Sequence, residues 1–515
     1  MTRFQAKIAS LGMTSLLLIC LSLPISDVAF AQTQKQNQPK KNGQRKNQGQ
    51  NPNQKKGGNQ DKGQSKKGPK HIFAGPAPEH PYDLILARPT DKAITVSLLA
   101  YKPLEAYISY GVHGDTKVVK TEVKQLQPDQ PLELVLGDLK PSSKYIYTLY
   151  TKPAGSKEFK PSPEQSFHTQ RLPGSSFTFT VQADSHLDQT ATPAVYERTL
   201  ANMLADSPDL VVDLGDTFMT DKYPNFKDSL PQYIAQRYYF GQIGKTAPVF
   251  LVLGNHDGER LDKYDGTANS MAVWSNLTRT KYFPNPIPND FYTGNQTEMK
   301  PLGKLQNYYA WTWGDAQFVV LDPFWTTSRS GRGNTDGNWV RTLGNEQYHW
   351  LEKTLNESKS KYKFVFIHHL VGGLDESARG GSEAAAMYEW GGLGAGGMDE
   401  FRKNRPDWSM PIHQLLVKNK VSVVFHGHDH FFAKQDLDGV VYLLVPQPGH
   451  SGFQRLRTTE EYGYRKGDFL PPAGHMRVKI SPENAVVDYV RSYLPESENA
   501  ERKNRDISYS FTVGN

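Results

Sequence analysis

The run Val423-Val424-Phe425-His426-Gly427-His428-Asp429-His430 closes a short apolar stretch with three histidines and one aspartate within five residues. Four more apolar runs end in side chains of the same kind. Residues 177–183 lead to Asp184-Ser185-His186, and residues 210–214 lead to Gly215-Asp216. Residues 248–253 lead to Gly254-Asn255-His256-Asp257, and residues 362–367 lead to His368-His369. Imidazole nitrogens and carboxylate oxygens bind borderline metals such as zinc and iron, and imidazole also moves protons near neutral pH. Repeated at the ends of apolar runs, they point to a polar centre assembled from several distant segments.

The elements between these tips must bring them together. Short apolar runs read as buried strands. Residues 196–207, with Leu200 and Leu204 four apart, and residues 233–240 read as helices. Strand, polar tip and helix then repeat, which is the rhythm of a layered α/β domain with its site at strand ends. Residues 261–305 form a polar and aromatic insertion without clear periodicity. Residues 308–313 and 317–322 read as two further strands. Asp322 ends the second without a histidine neighbour and reads as a loop-ordering carboxylate. A helix begins at 343–351, with His349 on its surface. A glycine-rich loop spans 372–397, and residues 476–480 and 485–490 form a hairpin around Pro482-Glu483-Asn484. The segment after Pro495 reads as a loose charged tail, with 507–513 as a candidate edge strand.

Taken in order, these five blocks resemble the pattern of the calcineurin-like metallophosphoesterase superfamily: D-x-H, G-D, G-N-H-D/E, H and G-H-x-H. The resemblance covers most of residues 175–450. It implies a four-layer α/β/β/α sandwich and a dinuclear centre. Asp184, His186, Asp216 and His430 would hold one metal. Asn255, His368 and His428 would hold the other, with Asp216 bridging the pair. His256 would assist the phosphate or the leaving group, with Asp257 orienting it. His368 is chosen over His369 as the ligand, although the H-x-P sequence frequent in the family is absent here. His426 and His450 are candidates for supporting positions beside the ligands. The chemistry suits the match, because two metals can neutralise an anionic phosphate ester and activate a hydroxide. Purple acid phosphatases place a tyrosine three residues after the bridging aspartate. This chain has Met219 there, so zinc, manganese or iron(II) is expected and no fixed purple iron(III) site.

The rest of the chain sets the context. Residues 73–172 hold short alternating segments at 10- to 20-residue spacing, separated by Pro/Gly turns, which is the pattern of a β-sandwich. Within them Leu139-Lys140-Pro141-Ser142-Ser143-Lys144-Tyr145-Ile146-Tyr147 resembles the corner of fibronectin type III and purple acid phosphatase N-terminal domains. The metallophosphoesterase domain is placed at 173–495 and the tail at 496–515. Residues 1–31 have a basic start (Arg3, Lys7), an apolar middle and Ala29-Phe30-Ala31 before Gln32, which is the pattern of a cleaved signal peptide. The single cysteine, Cys20, lies inside it, so the mature chain has no disulfide. Residues 32–72 are a Gln/Asn/Lys/Gly-rich linker expected to be disordered. They carry eleven Lys or Arg and one Asp against a whole-chain charge of +7, so the folded part is net acidic. That argues against nucleic acid as its partner and leaves weak envelope contact to the basic linker.

The expected protein is a secreted or periplasmic metal-dependent phosphoesterase, acid phosphatase-like or a phosphodiesterase. Its substrate would be a small phosphate ester, and no transmembrane segment would remain after signal cleavage. A nucleotide hydrolase of the same superfamily is one alternative. A non-catalytic envelope binding protein on the same fold is another, and retention of Asp216 and His256 speaks against it. Lys222, Arg237, Arg260, Arg329 and Arg332 follow the strand tips and are candidates for reading the charge of the ester.

Overall fold

Alternation along Phe177–Gln182 sets the centre of the molecule. Phe177, Phe179 and Val181 face one way into an apolar core, and Gln182 faces a helix, where its amide meets the Tyr196 hydroxyl and Asp213. The computed structural model describes residues 73, 75–328, 337–370, 379–450, 452, 456 and 459–513. The expected signal peptide and linker, together with Arg329 and Arg332, lie outside them.

Two sheets face one another around that core. One has six strands in the order Val249–Leu251, Leu210–Asp213, Phe177–Gln182, Gly474–Ile480, Ala485–Arg491, Ile507–Val513; the first three are parallel and the rest antiparallel. The other has eight strands, with Ala316–Val320, Tyr362–Phe366, Val423–His426 and Val440–Leu444 parallel at its centre. Phe179 from the first sheet meets Phe318 and Phe364 from the second edge-on, at ring separations of 4.9 and 5.3 Å.

Helices cover both outer faces. Pro193–Ala205 turns Tyr196, Leu200 and Met203 towards Val211 and Leu251. Gly344–Glu357 turns Tyr348, Leu351 and Leu355 towards Val319 and Val365 on the other side. The 3- and 4-residue spacing puts these side chains on one helical face. The result is the expected four-layer α/β/β/α sandwich.

Several local details differ from the sequence expectation. The helix expected from Tyr233 begins at Phe226, with Asn225 accepting from the Asp228 amide at its start. Pro231 lies in its second turn, where it removes one intrahelical bond. The aperiodic insertion holds a helix, Met271–Tyr282, fixed by a buried Arg279–Glu259 ion pair. The segment after Pro495 is not a loose tail throughout, because Ile507–Val513 hydrogen-bonds along Ala485–Arg491 as an edge strand.

Residues 82–170 form the all-β region ahead of this domain. A three-stranded sheet (Tyr82–Ala87, Ile94–Ala100, Leu132–Leu136) encloses an apolar core with a second sheet built on Leu104–Val112 and Lys144–Pro153. The expected corner is present: Tyr145 Oη accepts from the Lys140 amide at 2.8 Å. Both regions fall within one unit, Lys67–Asn515. The all-β region packs directly on the helix Phe226–Gly244, where the buried Arg237 donates to Ser97 O and Oγ and to Tyr282 O. Tyr147 donates to Lys245 O at 2.5 Å.

Candidate metal centre and active site

The strand ends carrying the polar tips lie side by side. Asp184 follows one strand, Asp216 its parallel neighbour, and Asn255 and His256 the third; His368 and His428 follow adjacent parallel strands of the facing sheet. Two groups of ligand atoms result, Asp184/His186/His430 and Asp216/His368/His428, each with its atoms within 4.8 Å of one another. Asn255 Oδ1 joins the second at 3.1 Å from His368 Nε2. The two groups adjoin through Asp184 Oδ1, which is 3.4 Å from His430 Nε2 and 4.0 Å from His368 Nε2.

Each aspartate has one oxygen tied to the main chain and one turned to the histidines. Asp184 Oδ2 accepts from the His428 amide at 2.8 Å, leaving Oδ1 inward. Asp216 Oδ1 accepts from the His256 amide at 2.7 Å, leaving Oδ2 at 3.2 Å from His368 Nε2. His368 Nδ1 donates to Leu214 O at 2.9 Å, which fixes the ring with Nε2 facing the cluster. Asp188 stands 3.3 Å from His186 Nδ1 and is itself held by the Thr190 amide and hydroxyl. Burial opposes its charge, but His186 and Thr190 hold the Asp188 carboxyl well below the usual carboxylate range.

The backbone at these tips is unusual. Asp184, Asp216, His428 and His430 all have positive φ, at 55°, 50°, 81° and 69°. Such conformations cost about 1–3 kcal/mol each and persist where the surroundings impose them, often at functional sites. The motif glycines explain the tight approach. A Cβ on Gly254 would stand 2.0 Å from the Asp216 amide, and one on Gly427 would stand 2.8 Å from Asp184 Oδ2.

The donor set fits a pair of cations. Asp184 Oδ1 is buried and takes no hydrogen bond from the protein. His186 Nε2 and His430 Nε2 face one another at 3.4 Å, where two lone pairs need a proton or a cation between them. Burial works against a charged His368, yet Asp216 and Asp184 outweigh it and push its pKa up to about 10. The cluster therefore demands positive charge. Nitrogen and oxygen donors of this kind suit zinc, manganese or iron.

His368 joins the cluster, whereas His369 stacks on Phe324 with ring centroids 5.1 Å apart, its charge suppressed by burial. His426 is buried, with its pKa pushed down to about 3, and belongs to neither group. His450 accepts from the Gly452 amide through Nδ1, and burial lowers its pKa to about 4. Asp322 accepts from Asn307 and the Phe324 amide and orders that loop. Met219 is buried where a purple-type tyrosine would stand.

One expected pairing is corrected. The carboxylate on His256 Nδ1 is Asp221, at 2.8 Å. Asp257 instead accepts from the amides of Asp216, Phe218 and Gly254, because its position on the turn points it into the loop backbone. Asp221 carries no motif signal in the sequence, and it reaches His256 only through the turn Thr220–Lys222. Asp188 was also missed, although its position two residues after His186 is a signal of a kind. Of the expected basic residues, Arg237 is buried against the all-β region, Arg260 pairs with Asp262, and Lys222 lies 3.8 Å from Asp221.

A family model described as calcineurin-like phosphoesterase matches residues 177–432, the span that carries all of these tips. The search of curated proteins gave no match. Among solved structures, one described as PhoD is 17% identical, with 85% of this chain and 91% of that chain covered and a TM-score of 0.56. A purple acid phosphatase from yellow lupin (Lupinus luteus) seeds is 16% identical, with 84% and 74% covered and a TM-score of 0.54. At these identities the likeness establishes the fold.

Proposed function

We propose that this chain, which carries a calcineurin-like metallophosphoesterase domain behind an all-β region, is an exported hydrolase of small phosphate esters. Metal-dependent phosphoester hydrolysis follows from the family match and the two ligand clusters. The single observation that carries it is the pair of adjoining Asp/His clusters with His256 beside them, held by Asp221.

The geometry supports the following roles. Asp184, His186 and His430 would hold one cation, and Asn255, His368 and His428 the other, with Asp216 contributing its inward oxygen as the shared carboxylate. Bound there, the pair would neutralise phosphate charge and make water acidic enough to attack near neutral pH. His256 presents its imidazole beside the centre, where it donates to a phosphoryl oxygen or protonates the leaving group. Asp221 fixes the ring of His256 and balances its charge. Asp257 keeps the loop bearing Asp216 and Gly254 closed.

Export rests on the pattern of residues 1–31. Among the described residues no helix is long and apolar enough to cross a membrane. The test is metal analysis of the purified protein together with hydrolysis of a panel of phosphomonoesters, phosphodiesters and nucleotides. An Asp216→Asn variant that kept full metal content and full hydrolysis would overturn the dinuclear reading. Fractionation of producing cells tests the location, and retention of the intact chain in the cytoplasm counts against export.

A further inference from the structure

Arg379, next to Gly380, brings one more cation to the centre, and no local motif marks it. Arg379 places Nη2 2.7 Å from His428 Nε2. Its Nε lies 3.1 Å from Asp429 Oδ1, and its guanidinium carbon lies 3.8 Å above the Tyr462 ring. Asp429 is fixed in turn by the Tyr464 hydroxyl, which donates to Oδ2 at 2.9 Å. Asp429 is buried, and the Arg379 side chain is 19% exposed. The arginine is thus held on one edge by a carboxylate and on one face by an aromatic ring, with Nη2 directed at a candidate metal ligand.

We propose that Arg379 is a phosphate-binding residue that selects phosphate monoesters over diesters at this site. The inference rests on the phosphoesterase reading above. His428 Nε2 accepts from Arg379 only while its lone pair is uncommitted. Once that lone pair is given to a cation, Nη2 needs another acceptor. Asp429 and Tyr462 still hold the guanidinium at the edge of the centre, so that acceptor is an oxygen of the bound phosphate. A guanidinium fork matches two phosphoryl oxygens, and it interacts more strongly with a dianion than with a monoanion. A monoester presents three non-bridging oxygens and up to two charges, whereas a diester presents two oxygens and one charge. Of the other basic residues named for this task, Arg237 is buried against the all-β region, Arg260 is held by Asp262 and Asn255 O, Lys222 stands at Asp221, and Arg329 and Arg332 lie outside the described residues.

The test compares the metal-loaded wild type with Arg379→Ala and Arg379→Lys. Hydrolysis of p-nitrophenyl phosphate and bis(p-nitrophenyl) phosphate is measured alongside metal content, thermal melting and calorimetric binding of inorganic phosphate. Arg379→Ala is expected to lower kcat/KM for the monoester about tenfold or more and for the diester by less than about threefold, with phosphate affinity falling about tenfold. Arg379→Lys keeps the charge without the fork and restores part of the loss. Equal loss on both esters, unchanged phosphate affinity, or loss of metal with loss of activity would overturn the assignment. If the wild type hydrolyses neither ester, the phosphoesterase reading falls. The phosphate titration then decides Arg379 alone, and equal affinity in wild type and Arg379→Ala rejects it.

Discussion

His256 and Asp221 form a pair: Nδ1 of the imidazole meets Oδ1 of the carboxylate at 2.8 Å, while Asp257, the chain neighbour of His256, turns into the backbone of its own loop. The two carboxylates therefore fail differently when altered. Asp221→Asn should lower kcat about 10–100-fold with metal content and melting temperature kept, since only the aim and charge balance of His256 change. Asp257→Asn should instead lower the melting temperature and the metal content, because its amide group would face main-chain N–H donors. Parallel kinetics, metal analysis and thermal melts of the two variants separate these outcomes.

Removal of metal should abolish hydrolysis. Treatment with a chelator and gel filtration should leave a folded protein without activity, and adding back zinc, manganese or iron(II) in turn should restore it to different degrees. Asp216→Asn should lose about a thousandfold in kcat with reduced metal content, because the inward oxygen loses its charge. Activity that survives complete metal removal would refute the assignment of both clusters.

Gly254 is a steric requirement of the site. A Cβ there would meet the Asp216 amide at 2.0 Å and Asp216 Oδ1 at 2.2 Å, and a main-chain atom cannot step aside as a flexible side chain can. Gly254→Ala should destabilise the protein by about 1–3 kcal/mol and lower its metal content, with the overpacking forced onto the turn that carries Asp216. Thermal melting with metal analysis checks this, and a variant of wild-type stability and metal content would show that the turn can yield.

Arg237 locks the all-β region to the catalytic domain. It is fully buried, and its guanidinium meets acceptors of Ser97 and Tyr282. Arg237→Ala should cost about 3–5 kcal/mol, since it leaves buried carbonyls without donors and opens a cavity. Denaturant unfolding measures the loss. A change below about 1 kcal/mol would mean that the interface contributes little to stability.

Asp206 should give the fold an acid-sensitive component. Burial opposes its charge, but His475 and Arg477 outweigh it and hold its pKa down at about 2, with Arg505 also in contact. A carboxyl depressed in the folded state stabilises the protein above its unfolded value near 3.8, and that contribution disappears as pH falls through 2. It amounts to at most about 2 kcal/mol. The stability gap between wild type and Asp206→Asn should be widest above pH 4 and narrow towards pH 2. A gap that stays constant over that range would contradict the role of Asp206 charge.

The chain by itself determined the ligand-bearing tips and the layered fold. Each tip ends an apolar run, and short-range spacing fixes both the strand and the residue that closes it. Asp184, Asp216, His368 and His428 could be picked out because they stand in local motifs. The pairing of His256 with Asp221, the approach of Arg379 to His428 and the interlock at Arg237 depend on contacts between segments distant in the chain or between turns of irregular shape. No periodicity encodes them. The helix Met271–Tyr282 was hidden for a related reason: its buried face carries the polar Asn276 and Arg279, satisfied by Glu259 and Leu305 O, partners that only the folded chain supplies. The tertiary structure decided which carboxylate serves which histidine, because packing sets the direction of a side chain and sequence sets only its position.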